Sequence, residues 1–175
     1  MKRVLTFICF MCAAPFCHAV APEVNIQYGG ILVDDPCVIP PGEEEIHLDF
    51  DGVVDKYLYA NQRTPGKQIE IHLTECDLSL GESVKVTFEG VENTLLPGLL
   101  AIDGSSQATG IAIGMETTDG ELLPLNKSTG RKLLTSGSNL LPFIVYIQGE
   151  PDAIKNKTIT QGAFSATATF NLEYE

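Results

Sequence analysis

The last fourteen residues, from Gly162 to Glu175, read GAFSATATFNLEYE and alternate without a break. Gly162, Phe164, Ala166, Ala168, Phe170, Leu172 and Tyr174 make one apolar or small face, whereas Ala163, Ser165, Thr167, Thr169, Asn171, Glu173 and Glu175 make a mostly polar one. A period of two puts successive side chains on opposite sides of a strand, so this pattern specifies which face meets the core. The run is long against a usual strand of about 5 to 6 residues. It also ends at the chain terminus without a turn, which leaves an edge open to pairing.

The same period recurs upstream in short runs: Ile46, Leu48 and Phe50; Ile69, Ile71 and Leu73; Val84, Val86 and Phe88; Ile111, Ile113 and Met115. Phe143 to Ile147 is a longer apolar run, suited to a strand covered on both sides. Between these runs lie Pro40-Pro41-Gly42, Asp103-Gly104, Asp119-Gly120 and Gly149-Glu150-Pro151, all turn material. No stretch keeps a 3.6-residue period beyond about one turn. The expected class is all-β, an antiparallel sandwich with immunoglobulin-like topology.

The N-terminus sets the compartment. Met1-Lys2-Arg3 precedes an apolar run closing at Cys17-His18-Ala19, which reads as a secretory signal peptide over residues 1–19 with Val20 as the mature start. Its apolar run falls short of the ~20 residues that a bilayer crossing needs. Cleavage leaves 156 of 175 residues, one ordinary domain, and with Lys2 and Arg3 removed nine basic groups stand against 23 acids, a net charge of −14. Such acidity opposes binding to a phosphate backbone, so nucleic acid is excluded as a partner. Three of five cysteines leave with the leader. The remaining pair, Cys37 and Cys76, meets an oxidising compartment and is expected to form one disulfide rather than a metal or redox site.

A second alternation follows the leader: Val24, Ile26, Tyr28, Gly30 and Leu32 face one way, and Asn25, Gln27, Gly29 and Ile31 the other. It is either the first strand of the sandwich or a strand detached from it. Catalysis is not expected. The mature chain holds only His47 and His72, each at an outward strand position, with no nucleophile-base arrangement, no free thiol and no metal-ligand spacing. Asp49-Phe50-Asp51-Gly52 lacks the further acids of a calcium loop, Asp34 and Asp35 serve a solvated connection, and Glu43-Glu44-Glu45 reads as a solvated face. No cofactor, metal or small-molecule substrate is expected.

A leader, an alternating N-terminal arm, the Cys37 and Cys76 pair, Gly162 fourteenth from the end and the penultimate aromatic Tyr174 together resemble the pilin subunits of chaperone-usher fimbriae. The resemblance covers the whole mature chain. The ending ATATFNLEYE is similar to minor tip subunits of type 1 and P pili, and Val84–Gly90, Leu96–Leu99 and Gly110–Ile113 resemble P-pilus tip adaptors. The resemblance implies an incomplete immunoglobulin-like sandwich over residues 34–175, lacking its final strand and completed by a donor strand from a periplasmic chaperone or a neighbouring subunit. It further implies that residues 20–33 form the donor arm, with Val24, Ile26, Tyr28, Gly30 and Leu32 entering a neighbour's groove. Gly162, Phe164, Ala166, Ala168, Phe170, Leu172 and Tyr174 then line this subunit's own groove, and the Glu175 carboxylate anchors the chaperone. Tyr28 departs from the pattern, being bulkier than the aliphatic residue common there.

The implied partners are the periplasmic fimbrial chaperone, the outer-membrane usher and neighbouring pilin subunits, with export through the periplasm to the cell-surface fimbrium. The implied role is a non-enzymatic minor or tip adaptor subunit contributing to adhesion, with a major shaft subunit as the nearest rival. An adhesin, or a secreted immunoglobulin-like domain that contacts a host ligand directly, is the alternative from another class.

Overall fold

The computed structural model describes Gly29 and residues 34–175, so the leader and the rest of the arm lie outside the described residues. The described elements, in order, are α1 (Asp55–Asn61), β1 (Lys67–Cys76), β2 (Ser83–Glu89), β3 (Leu100–Ala101), β4 (Ile111–Glu116), β5 (Lys132–Leu133), β6 (Gly137–Gly149), α2 (Pro151–Asn156) and β7 (Thr169–Tyr174). Two sheets result, one ordered β1-β6-β4-β3 and the other β5-β2-β7, and their strand pairs are antiparallel. This is an immunoglobulin-like sandwich lacking its final strand.

The core is built by the alternate apolar residues of both sheets. Ile71 and Leu73 of β1, Ile113 and Met115 of β4, and Leu141, Phe143, Val145 and Ile147 of β6 are buried with Val84, Val86 and Phe88 of β2. Phe88 meets Phe143 across the sandwich edge to face, with ring centroids 5.0 Å apart. The strand buried along its whole length is β4, not only the Phe143–Ile147 run. In β6, Val145, Tyr146 and Ile147 are buried but Ile144 is half exposed. The outer face of β4 is covered where Ala112 clusters with Leu96 and Leu99, and Gly114 lies so close under Tyr146 that a Cβ would sit 2.3 Å from its ring.

Three expectations need correction. Ile46, Leu48 and Phe50 do not form a hydrogen-bonded strand: Leu48 and Phe50 are half buried, yet residues 46–53 make no backbone-to-backbone hydrogen bond among the described residues. The C-terminal strand is assigned only over Thr169–Tyr174 and pairs with β2 only from Thr169 onward, although its alternating burial runs from Phe164 to Glu175. Gly149-Glu150-Pro151 leads into α2 rather than a simple turn. Pro151 occupies the first turn, where its missing N–H costs nothing, and Asp152 complements the positive end of the helix. Asp103, Thr117 and Pro40 do open tight turns, closed by bonds from Ser106 N, Gly120 N and Glu43 N.

Cys37 and Cys76 are joined in a disulfide. Beside it Val38 and Thr74 exchange two backbone hydrogen bonds of 2.8 Å each, so the chain before residue 40 is fastened to the end of β1. Further along, Lys67 Nζ donates to Asp51 Oδ2 and to the Asp49 carbonyl, both at 2.7 Å. The Asp49–Gly52 run is therefore a lysine-tethered bend against the start of β1.

Candidate functional site

Between residues 46–53 and the C-terminal segment lies an apolar groove with a volume of about 600 Å³. Leu48, Phe50 and Val53 form one wall, and Phe164, Ala166, Ala168 and Phe170 the other. The floor consists of Ile69, Phe88, Leu100, Ile113, Met115 and Val145, drawn from both sheets, so the groove opens directly into the core. Every apolar residue of the C-terminal wall is only half buried.

The walls run antiparallel. At one end Gln161 Nε2 donates to Asp55 Oδ2 at 2.9 Å, and at the other a Cβ on Gly81 would touch both Pro36 and Tyr174. At the first end Gly162 packs against the 103–108 loop: its φ is +154°, and a Cβ there would lie 2.5 Å from the Gln107 Cβ. Beyond it, Ser165 is tied to the 103–108 loop by Asp103 N to its carbonyl at 2.8 Å and by its own Oγ to Asp103 Oδ2 at 2.7 Å.

Backbone polarity is the more telling property. Ser83 and Glu175 exchange both of their backbone bonds, each 3.0 Å. Hydrogen-bonded pairs alternate along an antiparallel ladder, so Lys85 with Glu173, Thr87 with Asn171 and Glu89 with Thr169 are also bonded pairs. The backbone groups of Phe170, Leu172 and Tyr174 consequently point away from β2, toward the groove side, and have no partner among the described residues. Across the groove, residues 46–53 likewise make no backbone-to-backbone bond among the described residues, their only backbone hydrogen bonds being the Asp49 carbonyl with Lys67 Nζ and Asp51 N with Asp49 Oδ1. Two free edges flanking an apolar floor, with polar groups that need partners, are complementary to an extended strand.

Charge fixes the strand end. The Glu175 side chain receives Lys85 and Arg131, and its backbone carbonyl oxygen accepts from Glu82 N at 2.8 Å and Ser83 N at 3.0 Å. The Lys85 ammonium, with Arg131 second, holds the Glu175 carboxyl below its ordinary range. On β1, His72 Nδ1 lies 2.6 Å from Glu43 Oε2 and Nε2 lies 3.3 Å from Glu70 Oε2, while His47 is fully outward beside Glu45. Glu70 and then Glu43 raise the His72 pKa.

Of the residues assigned to the groove from the sequence, Gly162, Phe164, Ala166, Ala168 and Phe170 line it. Leu172 and Tyr174 pack half buried against the core beyond it, and Glu175 stands at the far end. Val24, Ile26, Tyr28, Gly30 and Leu32 lie outside the described residues. The opposite wall and the floor escaped the sequence reading. Their signal was the apolar face of Ile46, Leu48 and Phe50, which belongs to a segment with no strand partner.

Residues 25–175 match the family described as fimbrial protein. The chain is 33% identical over 164 residues to the fimbrial adapter PapK of Escherichia coli, covering 90% of each chain. It is 28% identical over 177 residues to the "putative minor fimbrial subunit PmfF" of Proteus mirabilis, covering 100% of this chain and 97% of that one. Among solved structures the P pilus rod subunit PapA superimposes with a TM-score of 0.70 at 25% identity, covering 81% of this chain and 100% of the chain in that structure. A sandwich missing a strand, stapled once by a disulfide and matched along nearly its whole length, places the chain in the fimbrial protein family, as a structural subunit of chaperone-usher pili.

Proposed function

We propose that the groove is an acceptor site for a donor strand, filled first by a periplasmic chaperone and then, at an outer-membrane usher, by the arm of the next subunit. The observation that carries this reading is an apolar floor flanked by two segments that, among the described residues, make no backbone-to-backbone bond across it, residues 46–53 on one side and Phe164, Ala166, Ala168 and Phe170 on the other. A strand laid there makes main-chain bonds to both edges while alternate side chains fill the floor, giving affinity and register together. Four buried donor side chains at ~1.5 to 3 kcal/mol each give a gross gain of about 6 to 12 kcal/mol before ordering costs. That holds a fibre without covalent links.

The domain plan follows: residues 1–19 direct export, 20–33 form the donor arm, and 34–175 form the acceptor body. The role is that of a non-enzymatic minor or tip adaptor subunit in a surface fimbrium that serves adhesion. Likeness to an adapter and to a minor subunit supports it. In the arm, Gly30 sits where two backbones crowd, and the Glu175 end of the strand is where the chaperone takes hold.

Two substitutions test the assignment by fibre incorporation and chaperone co-purification. Gly30→Arg is expected to abolish insertion into a neighbour while leaving this subunit's chaperone complex intact, because only the donor is changed. Phe170→Asp is expected to lose the chaperone complex, because a carboxylate then stands in the groove wall. Normal fibre incorporation of Gly30→Arg would overturn the donor role.

A further inference from the structure

A second depression, of about 690 Å³, lies beside α1 and shares Phe50, Gly52 and Val53 with the end of the groove near Gly162. Val54, Tyr57, Ala60 and Pro65 line it, and Val54 and Tyr57 are 58% and 43% exposed. Lys56 and Lys67 are its cations; Lys67 is held by Asp51, whereas no ion pair engages Lys56 among the described residues. An exposed apolar depression continuous with a strand-binding groove needs an occupant that arrives with the strand.

The chain's own arm has the matching chemistry. The C-terminal wall alternates in size, bulky at Phe164 and Phe170, small at Ala166 and Ala168, and empty at Gly162. An antiparallel arm from a second copy, set with Leu32 over Gly162, places Gly30 at Phe164, Tyr28 at Ala166, Ile26 at Ala168 and Val24 at Phe170. Each pair then joins a large residue to a small or medium one, as close packing requires. Tyr28, oversized for an aliphatic site, falls on an alanine. In the parallel setting with Tyr28 on Ala168, Leu32 meets Leu172 instead. The outward face of the arm is polar or small at Asn25, Gln27 and Gly29 but turns apolar at Ile31 and Val33, and two acids follow at Asp34 and Asp35.

The geometry points to the α1 depression as a docking site for Val33 to Asp35 of a second copy of this chain, continuing the arm beyond the groove. This rests on the groove accepting a strand. Val33, on the outward face of the arm, then lies against Val54 and Tyr57, and Asp35, two residues on along the same face, meets Lys56. The subunit can thus follow a second copy of itself within the fibre.

The test uses the full mature chain carrying Ile26→Asp, so that its own arm does not compete, and synthetic peptides of residues 22–32 and 22–35. Binding of the longer peptide roughly tenfold or more tighter than the shorter is expected, as burying one further valine side chain implies. Val54→Asp and Lys56→Glu, both at exposed positions, are expected to remove that advantage while leaving the 22–32 affinity unchanged. Equal affinities for the two peptides overturn the docking site and leave the groove intact. Failure of both peptides, with binding of the arm from a different pilin, overturns the homotypic partner but not the groove. Failure of every arm peptide overturns both.

Discussion

Single residues here act through geometry or charge that can be perturbed one at a time. Gly162 stands with positive φ and with Gln107 in the way of any Cβ, so Gly162→Ala is expected to cost roughly 1 to 3 kcal/mol, measured by denaturant unfolding. An unchanged midpoint would mean that the 103–108 loop yields freely. His72 makes a different prediction. Its folded-state pKa is raised above the ordinary 6.5 by Glu70 and Glu43, so its contribution is full below about 6.5 and is lost as pH rises through the raised value. The excess of the wild-type Tm over that of His72→Asn should therefore be larger at pH 5.5 than at pH 8. Equal differences at both pH values would show that the carboxylates do not hold the imidazolium. Glu175 has the opposite sign: with its pKa lowered by Lys85 and Arg131, its contribution is present at neutral pH and disappears as the solution is acidified through that lowered value.

At the scale of elements, the disulfide fastens the segment that becomes the first groove wall to the end of β1. In the chain-entropy model, closing the 39-residue separation is worth about 4 kcal/mol, so Cys37→Ser should lower stability by about that amount and loosen residues 36–53 before the sheets. Loss confined to global unfolding, with no local increase in proteolysis of that segment, would contradict the fastening role. The strands β1 and β2 were legible in the sequence because alternation and burial coincide in them, β4 because its large apolar residues alternate with small ones although all six are buried, and β6 through its apolar run Phe143 to Ile147. The run Ile46 to Phe50 carries the same alternation without a strand, since pairing needs a partner edge and the missing strand is the partner. The C-terminal strand is shortened because β2 pairs with it only from Thr169 onward, while Gly162 to Ala168 face a loop and the groove. The helices were not legible because six or seven residues hold too few turns for a period to show. The floor of the groove, assembled from five distant segments, has no signature in any local window.

As a whole molecule, the protein is a sandwich whose core opens to one side because a strand is lacking, and the C-terminal edge that would ordinarily invite aggregation is the one that borders the opening. Its acidity, a formal net charge of −12, sets such open folds in mutual repulsion in solution. The most direct test of this account is amide hydrogen exchange along residues 169–175 of the full mature chain carrying Ile26→Asp, with and without an arm peptide. An alternation is expected in the unfilled protein: Asn171, Glu173 and Glu175 protected by β2, and Phe170, Leu172 and Tyr174 exchanging freely, with the latter three becoming protected when the donor is added. Protection of Phe170, Leu172 and Tyr174 without a donor, unchanged by any arm peptide, would mean that the edge is already satisfied and that the groove accepts no strand.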